Sequence, residues 1–241
     1  MKLSVLIPVY NEAATIEELL GRVARVSEQA GPGTQVEMVV VDDGSTDGTP
    51  ERLLSFGVHG TGGSGADLIL LRHAANQGKG AAILTALQAA TGDVVIVQDA
   101  DLEYDPADYL PILATMTGHG APVVYGSRIL GGNPHSYLRF YYGGRALTLL
   151  FNLLYGRHLT DLTTCYKAFR TETLRSLPLA CRGFEFCPEV TALLARRGIP
   201  ILEVPITYHP RSLAAGKKIR WHDGARAAWT LLRLRWRRPG G

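Results

Sequence analysis

No run in the 241-residue chain approaches the ~20 apolar residues that a membrane-spanning helix needs. The best candidate, between Arg145 and Arg157, is too short, so a spanning segment is excluded, whereas lying on a membrane surface is not. Cysteine is scarce: Cys165, Cys181 and Cys187 are odd in number and lack metal-ligand spacing. That argues against a disulfide framework or a zinc site and reads as reduced, intracellular thiols, with Cys165 and Cys187 small buried residues rather than nucleophiles. No histidines stand at ligand spacing, and His73 and His209 read as loop or packing residues. A secretory signal is not expected, because the apolar run Leu3–Val9 is short and Glu12 soon follows. A large excess of one charge is missing too: a net charge of +3 does not by itself suggest a nucleic-acid partner.

What is present is a globular composition, 46% hydrophobic and 20% charged, in a chain long enough for one large domain or a domain with an appendage. The basic residues accumulate late: Arg211, Lys217, Lys218, Arg220, Arg226, Arg233, Arg235, Arg237 and Arg238. Such a run is ordinarily a solvated face, but with Trp221, Trp229 and Trp236 among it the segment also suits a phosphate-rich membrane surface.

Strand-like and helix-like segments alternate from the start. Leu3–Val9, Val36–Val41, Leu68–Leu71 and Val94–Gln98 have the length and β-branched content of buried strands. Between them, Ile16, Leu19, Leu20, Val23 and Val26 recur at helical spacing, a short helix runs through Leu53 and Leu54, and Lys79–Ala90 is rich in helix formers. Crossovers of this length predict an α/β fold, doubly wound around a mainly parallel sheet with its loops at one edge. Asp105-Pro106-Ala107-Asp108 caps a further helix, and Val123–Arg128 is a strand that delivers an arginine to its end. Beyond Arg128 the alternation weakens. Tyr137–Tyr155 is a helical stretch apolar on much of its circumference, either a core helix or a membrane-facing one. Thr160–Arg170 reads as a turn, Phe184–Arg197 as a helix, Ile199–His209 as a strand and His222–Arg238 as a basic amphipathic helix and tail.

Chemistry concentrates where the fourth strand ends, in Asp99-Ala100-Asp101-Leu102-Glu103. The carboxyl end of a strand is where open α/β sheets bind ligands, and acids at i, i+2 and i+4 make a hard-oxygen site for Mg²⁺ or Mn²⁺. An Asp-x-Asp alone is also shared with many solvated acidic loops. Three other patterns carry no function. Gly60–Gly65 satisfies G-x-G-x-x-G but precedes a strand and opens no helix; Gly78-Lys79-Gly80 lacks the rest of a P-loop, although a helix start there can hold an anion; and Tyr104 stands where a calcium loop needs glycine.

The ordered set of blocks is more specific than any one of them. Pro8-Val9-Tyr10-Asn11-Glu12, Asp42-Asp43-Gly44-Ser45, Asn76-Gln77-Gly78-Lys79-Gly80 and Asp99-Ala100-Asp101 follow one another at successive strand ends. Later come Gly126-Ser127-Arg128, Thr160-Asp161 with Thr164-Cys165-Tyr166-Lys167, Phe184–Glu189, Glu203–Ile206, Pro210-Arg211 and Gly216–Ile219. From Leu3 to about Gly224 the chain resembles the family 2 inverting glycosyltransferases, and within them the dolichol- or polyprenol-phosphate mannosyltransferase branch.

That resemblance implies the GT-A fold, a Rossmann-like mixed, mostly parallel sheet with helices on both faces. It implies a catalytic domain over residues 1–210, then an acceptor-site loop and basic amphipathic segment over 211–241. Pro8, Tyr10, Glu12, Val41, Asp43, Asp99, Ala100 and Asp101 would bind the donor nucleotide, with Asp43 on the base. Asp99, Asp101 and Glu103 would hold Mg²⁺ or Mn²⁺, although relatives more often carry Gln at the third position. Asp101, Arg128, Arg211 and Lys217 would serve catalysis, and Arg128 with Arg145 the acceptor phosphate. The implied reaction is inverting, metal-dependent transfer of a hexose, mannose from GDP-mannose, to a polyprenyl or dolichyl phosphate. The alternatives are a UDP-glucose or other UDP-sugar donor, and more distantly a nucleotide-binding scaffold without chemistry. The expected partners are the nucleotide sugar, the lipid phosphate, the membrane surface and a membrane protein, with the enzyme peripheral to the cytoplasmic leaflet. Asp42, Asp161, Lys167, Glu185 and Glu189 read as structural polar residues.

Overall fold

The computed structural model describes residues 1–31, 33–59, 66–133, 138–211 and 221–237. Its centre is a seven-stranded sheet. The strands are β1 (Lys2–Val9), β2 (Gln35–Asp42), β3 (Ala66–Arg72), β4 (Val94–Val97), β5 (Val123–Ser127), β6 (Lys167–Arg170) and β7 (Leu202–Pro205), in the order β3-β2-β1-β4-β6-β5-β7. The helices are α1 (Ile16–Gln29), α2 (Thr49–His59), α3 (Lys79–Ala89), α4 (Tyr109–Gly118), α5 (Leu138–Tyr155), α6 (Thr171–Ser176), α7 (Phe186–Arg196) and α8 (Trp221–Trp236). Four strands, β3, β2, β1 and β4, pair in parallel through βαβ crossovers. The consecutive buried residues of β1 and β2, Leu3 through Ile7 and Val36 through Val41, mark a sheet covered on both faces. Ile16, Leu19, Leu20, Val23 and Val26 of α1 are buried at the spacing the sequence predicts.

The sheet departs from the simple pattern at β6. The segment read as a turn over Thr160–Arg170 ends in a strand inserted antiparallel between β4 and β5, with Ile96 opposite Ala168 and Val124 opposite Ala168 on the other side. Two antiparallel steps restore direction, so β5 runs with β4, and β7 runs parallel to β5. The carboxyl ends of β1, β2, β4, β5 and β7 therefore share one edge. Asp105 starts the next helical segment as expected, accepting from the Ala107 amide at 3.0 Å, but the first turn is a 3₁₀ turn over Pro106–Asp108 that leads into α4. The Gly60–Gly65 stretch lies outside the described residues.

Helix α8 belongs to the same body. Its Leu231 and Leu234 are buried, the Tyr155 hydroxyl of α5 donates to the Leu231 carbonyl at 2.8 Å, and Arg196 of α7 donates to the Leu234 carbonyl. Among the described residues, no helix is long and apolar enough to cross a membrane.

At the opposite edge, Glu37 of β2 fastens three segments. It is 2% exposed, accepts from the Ser4 hydroxyl at 2.6 Å, from the Thr91 amide and hydroxyl at 2.8 and 2.6 Å, and pairs with Lys2 at 2.7 Å. Burial alone would raise its pKa, but the bonds from Lys2, Ser4 and Thr91 outweigh it and hold the carboxyl at about 2, below the ordinary 4.5. A depressed carboxyl stabilises the fold above its unfolded pKa and loses that contribution as pH falls. Glu37→Ala is expected to cost about 2–4 kcal/mol in urea unfolding at pH 7. The wild-type stability should decline between about pH 4.5 and 2, and Glu37→Gln should flatten that part of the curve.

Candidate active site

A cavity of about 1550 Å³ opens at the shared strand edge. Pro8, Tyr10, Glu12, Asp43, Asp99, Ala100, Asp101, Glu103, Arg128, Arg145 and Arg211 all line it, together with Lys79, Cys165, Phe184 and Tyr208. The structure thus brings together nearly every residue singled out in the sequence. Val41 is the exception: its side chain is fully buried in the core of β2 and does not line the cavity. Lys217 lies outside the described residues.

The loops are tied to one another by hydrogen bonds of their own. Asn11, at φ +51°, accepts from the Thr46 amide at 2.9 Å through its side chain, and its own amide donates to Ser45 Oγ at 2.9 Å. Asn tolerates this left-handed conformation better than most residues. Thr15, before α1, donates its hydroxyl to the Ala100 carbonyl at 2.7 Å, fixing the Asp-x-Asp loop to the start of that helix. Gly44, at φ +72°, admits the 75–76 backbone so closely that an added Cβ would sit 2.7 Å from the Ala75 carbonyl carbon.

Asp43 is 2% exposed and already oriented. Its Oδ1 accepts from the Gln77 amide at 2.9 Å and meets His73 Nδ1 at 2.7 Å, and its Oδ2 accepts from the Gly78 amide at 2.8 Å. His73 Nε2 in turn meets the Thr85 hydroxyl of α3 at 2.9 Å. The sequence reading gave His73 a loop or packing role; its position directly after β3, beside the other strand ends, was the available signal. Asp42 braces the turn, accepting from the Ser45 amide at 2.9 Å.

The two aspartates of the Asp-x-Asp face cations supplied by the chain itself. Lys79, the first residue of α3, places Nζ 2.6 Å from Asp99 Oδ1. Burial disfavours the ammonium, but Asp99 outweighs it and keeps the lysine charged, above its ordinary pKa. Arg211 reaches Asp101 Oδ2 at 3.1 Å and grips both oxygens of Glu12 at 3.1 Å. Asp101 is pushed up to about 7 by burial and by the charges of Asp99 and Glu103, with Arg211 pulling the other way.

The expected three-carboxylate metal set is not assembled. Among the described residues no three His, Cys, Asp or Glu side chains gather as a ligand group. Leu102 has φ +59°, which breaks the alternation that would aim acids at i, i+2 and i+4 the same way. Glu103 instead accepts from the Arg211 amide at 2.8 Å and the Tyr208 hydroxyl at 2.8 Å. Asp99 and Asp101 remain the pair whose chemistry fits a hard cation, since Mg²⁺ commonly takes one or two carboxylates and completes its shell with substrate phosphate and water.

Arg128, at the end of β5, is fixed by Asp161, with Nε to Oδ2 at 2.7 Å and Nη2 to Oδ1 at 2.8 Å, while Nη2 also donates to Thr163 at 2.8 Å. A phosphate meeting Arg128 would therefore use Nη1. Asp161 is more than the structural turn residue it was read as, because it sets this guanidinium. Lys167 does hold the turn: fully buried, it donates to the Leu162 and Thr164 carbonyls at 2.9 and 2.8 Å. Arg145 of α5 donates to the Thr160 carbonyl at 3.0 Å at the cavity wall. Glu189 accepts from the Ala180 and Cys181 amides at 3.2 and 2.8 Å, and Glu185 from the Gly183 amide at 3.1 Å. Burial pushes the Cys165 thiol well above its ordinary value, which favours the neutral thiol over the thiolate.

Comparison with known proteins identifies the family and the fold. The family model described as Glycosyl transferase family 2 matches residues 4–177. A dolichol-phosphate mannosyltransferase of Pyrococcus furiosus is 30% identical over 224 residues, covering 90% of this chain and 59% of that protein. The glycosyltransferase AglJ of Haloferax volcanii is 31% identical over 209 residues, covering 86% and 63%. The chain thus spans about three fifths of the length of these relatives. A crystal structure of glucosyl-3-phosphoglycerate synthase from Mycobacterium tuberculosis, in complex with Mg²⁺ and UDP, superposes with a TM-score of 0.70 at 23% identity, covering 100% of this chain and 81% of that one. The chain belongs to glycosyl transferase family 2, has the GT-A fold, and within the family is similar to dolichol-phosphate mannosyltransferase.

Because burial and the neighbouring carboxylates push Asp101 up to about 7, a cation binding there would have to displace a proton at lower pH and would meet a carboxylate at higher pH. Calorimetric titration with Mn²⁺ should show affinity falling by about tenfold per pH unit below 7, with proton release on binding.

Proposed function

We propose that the chain transfers a hexose with inversion, mannose from GDP-mannose, to a polyprenyl phosphate. The observation that carries this reading is the meeting of Asp99, Asp101, Arg128 and Arg211 in one cavity that continues along α5 and α8. Pro8, Tyr10, Glu12 and Asp43 form the nucleoside end. Asp99 and Asp101 would hold Mg²⁺ or Mn²⁺, which when bound would neutralise the leaving diphosphate as the sugar–phosphate bond breaks. Arg211 stands beside the same carboxylates, where it can hold donor phosphate and take up developing negative charge. Arg128 and Arg145 lie on the α5 side, where an acceptor phosphate can approach in line. A phosphate oxygen is already ionised near neutral pH, so the attack needs no strong general base. The similarity to dolichol-phosphate mannosyltransferase supports the donor and acceptor; the fold shared with a UDP-binding synthase keeps a UDP-sugar as the second reading.

A lipid acceptor also accounts for the outer faces of the two helices beside the cavity. Leu138, Tyr142, Leu149 and Leu153 of α5 are 65, 63, 59 and 76% exposed, and Trp229 and Trp236 of α8 are 64 and 69% exposed. Arg226 and Arg233 share the exposed side of α8. This is the composition of a surface that lies on an anionic leaflet, and the reading places the protein peripherally on the cytoplasmic side.

In a thermal-shift panel of GDP-mannose, UDP-glucose and UDP-GlcNAc with Mn²⁺, GDP-mannose should stabilise most, and EDTA should remove the shift. A larger shift with UDP-glucose would transfer the reading to that donor, and an EDTA-resistant shift would rule out the metal role. On flotation, the protein should rise with vesicles containing phosphatidylserine and dissociate at high salt, and Trp229→Ala with Trp236→Ala should stay at the bottom. Failure of the unaltered protein to float would remove the membrane assignment.

A further inference from the structure

We propose that Gln98, a buried glutamine gripped by two tyrosines, is a positioning residue for Asp99 and Asp101, setting the backbone between them and so the separation of their carboxylates. The proposal rests on the reading of that aspartate pair as a cation and diphosphate site.

Three observations support it. The first is placement. Gln98 follows the apolar run of β4, and its backbone amide still donates to the Leu6 carbonyl of β1 at 2.9 Å, so the sheet holds the chain up to the residue before Asp99. Its side chain is fully buried, where a polar group is costly unless it is bonded. The second is the direction of those bonds. The hydroxyls of Tyr109, which begins α4, and Tyr166, just before β6, both donate to Gln98 Oε1, the latter at 2.7 Å. They fill the two lone pairs of that oxygen, and Nε2 donates to the Asp99 carbonyl at 2.8 Å. A reversed amide would set oxygen against that carbonyl and lose the bond. The third is the neighbouring peptide. Two peptide units join Asp99 to Asp101, and the carbonyl of the second, that of Ala100, accepts from the Thr15 hydroxyl at 2.7 Å. Gln98 and Thr15 thus hold one unit each.

The anchor for Gln98 is itself well fixed. Tyr109 and Tyr166 are fully buried with ring centroids 5.5 Å apart, and Tyr104 packs on Tyr166 at 4.8 Å while its hydroxyl accepts from the Cys165 amide at 3.0 Å. Tyr166 also reaches β5, its carbonyl accepting from the Gly126 amide at 2.8 Å, two residues before Arg128. One buried cluster therefore serves as the reference for the aspartate pair and for the strand that carries Arg128. Gln98 does not line the cavity, so it acts through the backbone of the aspartates and not on a ligand.

The test compares the unaltered protein with Gln98→Met, which keeps the length of the side chain and loses its polar atoms. Tyr109→Phe and Tyr166→Phe, singly and together, leave Gln98 in place without its anchors. Tyr125→Phe, which removes a buried hydroxyl bonded to Thr191 at 2.9 Å, is the control for destabilisation alone. Mn²⁺ binding is followed by electron paramagnetic resonance in excess GDP and, separately, UDP, well below the Tm of each variant. Gln98→Met should lower Mn²⁺ affinity about tenfold and change the line shape of the bound ion, and the paired tyrosine variant should lower affinity about threefold or more. Tyr125→Phe should lower Tm and leave affinity and line shape as they were. A Gln98→Met variant that loses Tm but keeps affinity and line shape would overturn the proposal, because Gln98 would then serve folding only. So would a loss of affinity in Tyr125→Phe equal to that in the other tyrosine variants. If Gln98→Met does not fold, the Tyr109 and Tyr166 variants decide: weaker Mn²⁺ binding supports the proposal, and unchanged binding overturns it. An unaltered protein that binds no Mn²⁺ with either nucleotide would overturn the reading of the aspartate pair, and the proposal with it. The readout needs neither sugar nor acceptor, so a wrong substrate assignment leaves it untouched.

Discussion

Carboxylates drawn out of water must be balanced, and that constraint organises the open edge of the sheet. Glu12, Asp99, Asp101 and Glu103 crowd one half-buried cavity, where like charges that close repel strongly. The chain answers with Lys79 from the start of α3 and with both the guanidinium and the backbone amide of Arg211 from beyond β7. A cation bound with a diphosphate would share with Lys79 and Arg211 the work of balancing Asp99 and Asp101. Both basic groups would then stand beside the incoming phosphates, which are the anions they are suited to meet.

Much of this was legible in the sequence, because β1, β2, β4 and β5 announce themselves by apolar runs rich in valine and isoleucine, and residues at their ends line the cavity. The placement of Asp99, Asp101 and Arg128 followed from that alone. The inserted strand β6 was not legible: Lys167–Arg170 is four residues long, begins and ends in a charge, and becomes a strand through the neighbours it finds on both sides.

Within the site, three features of the structure were not legible, for different reasons. Alternation along an extended chain suggested that Glu103 points where Asp99 and Asp101 point, and one left-handed residue, Leu102, cancels it. His73 carries no motif, and its role exists only because β3 ends beside β2 and brings it to Asp43. Val41 was placed in the pocket by resemblance, whereas the sheet keeps its side chain in the core. Only for His73 is the deciding contact one between segments far apart in sequence.

The sheet order also bears on how the chain is made. Strand β5 finds no partner among the residues that precede it, because its neighbours β6 and β7 are both encoded later. On the ribosome, β4 presents an unpaired edge and β5 waits, until Lys167–Arg170 emerges to zip the two together. The first four strands can condense early around local crossovers, while the half carrying Arg128 and Arg211 must close long loops. An interrupted nascent chain would thus have the β1–β2 end of the cleft and an unpaired strand border open to association.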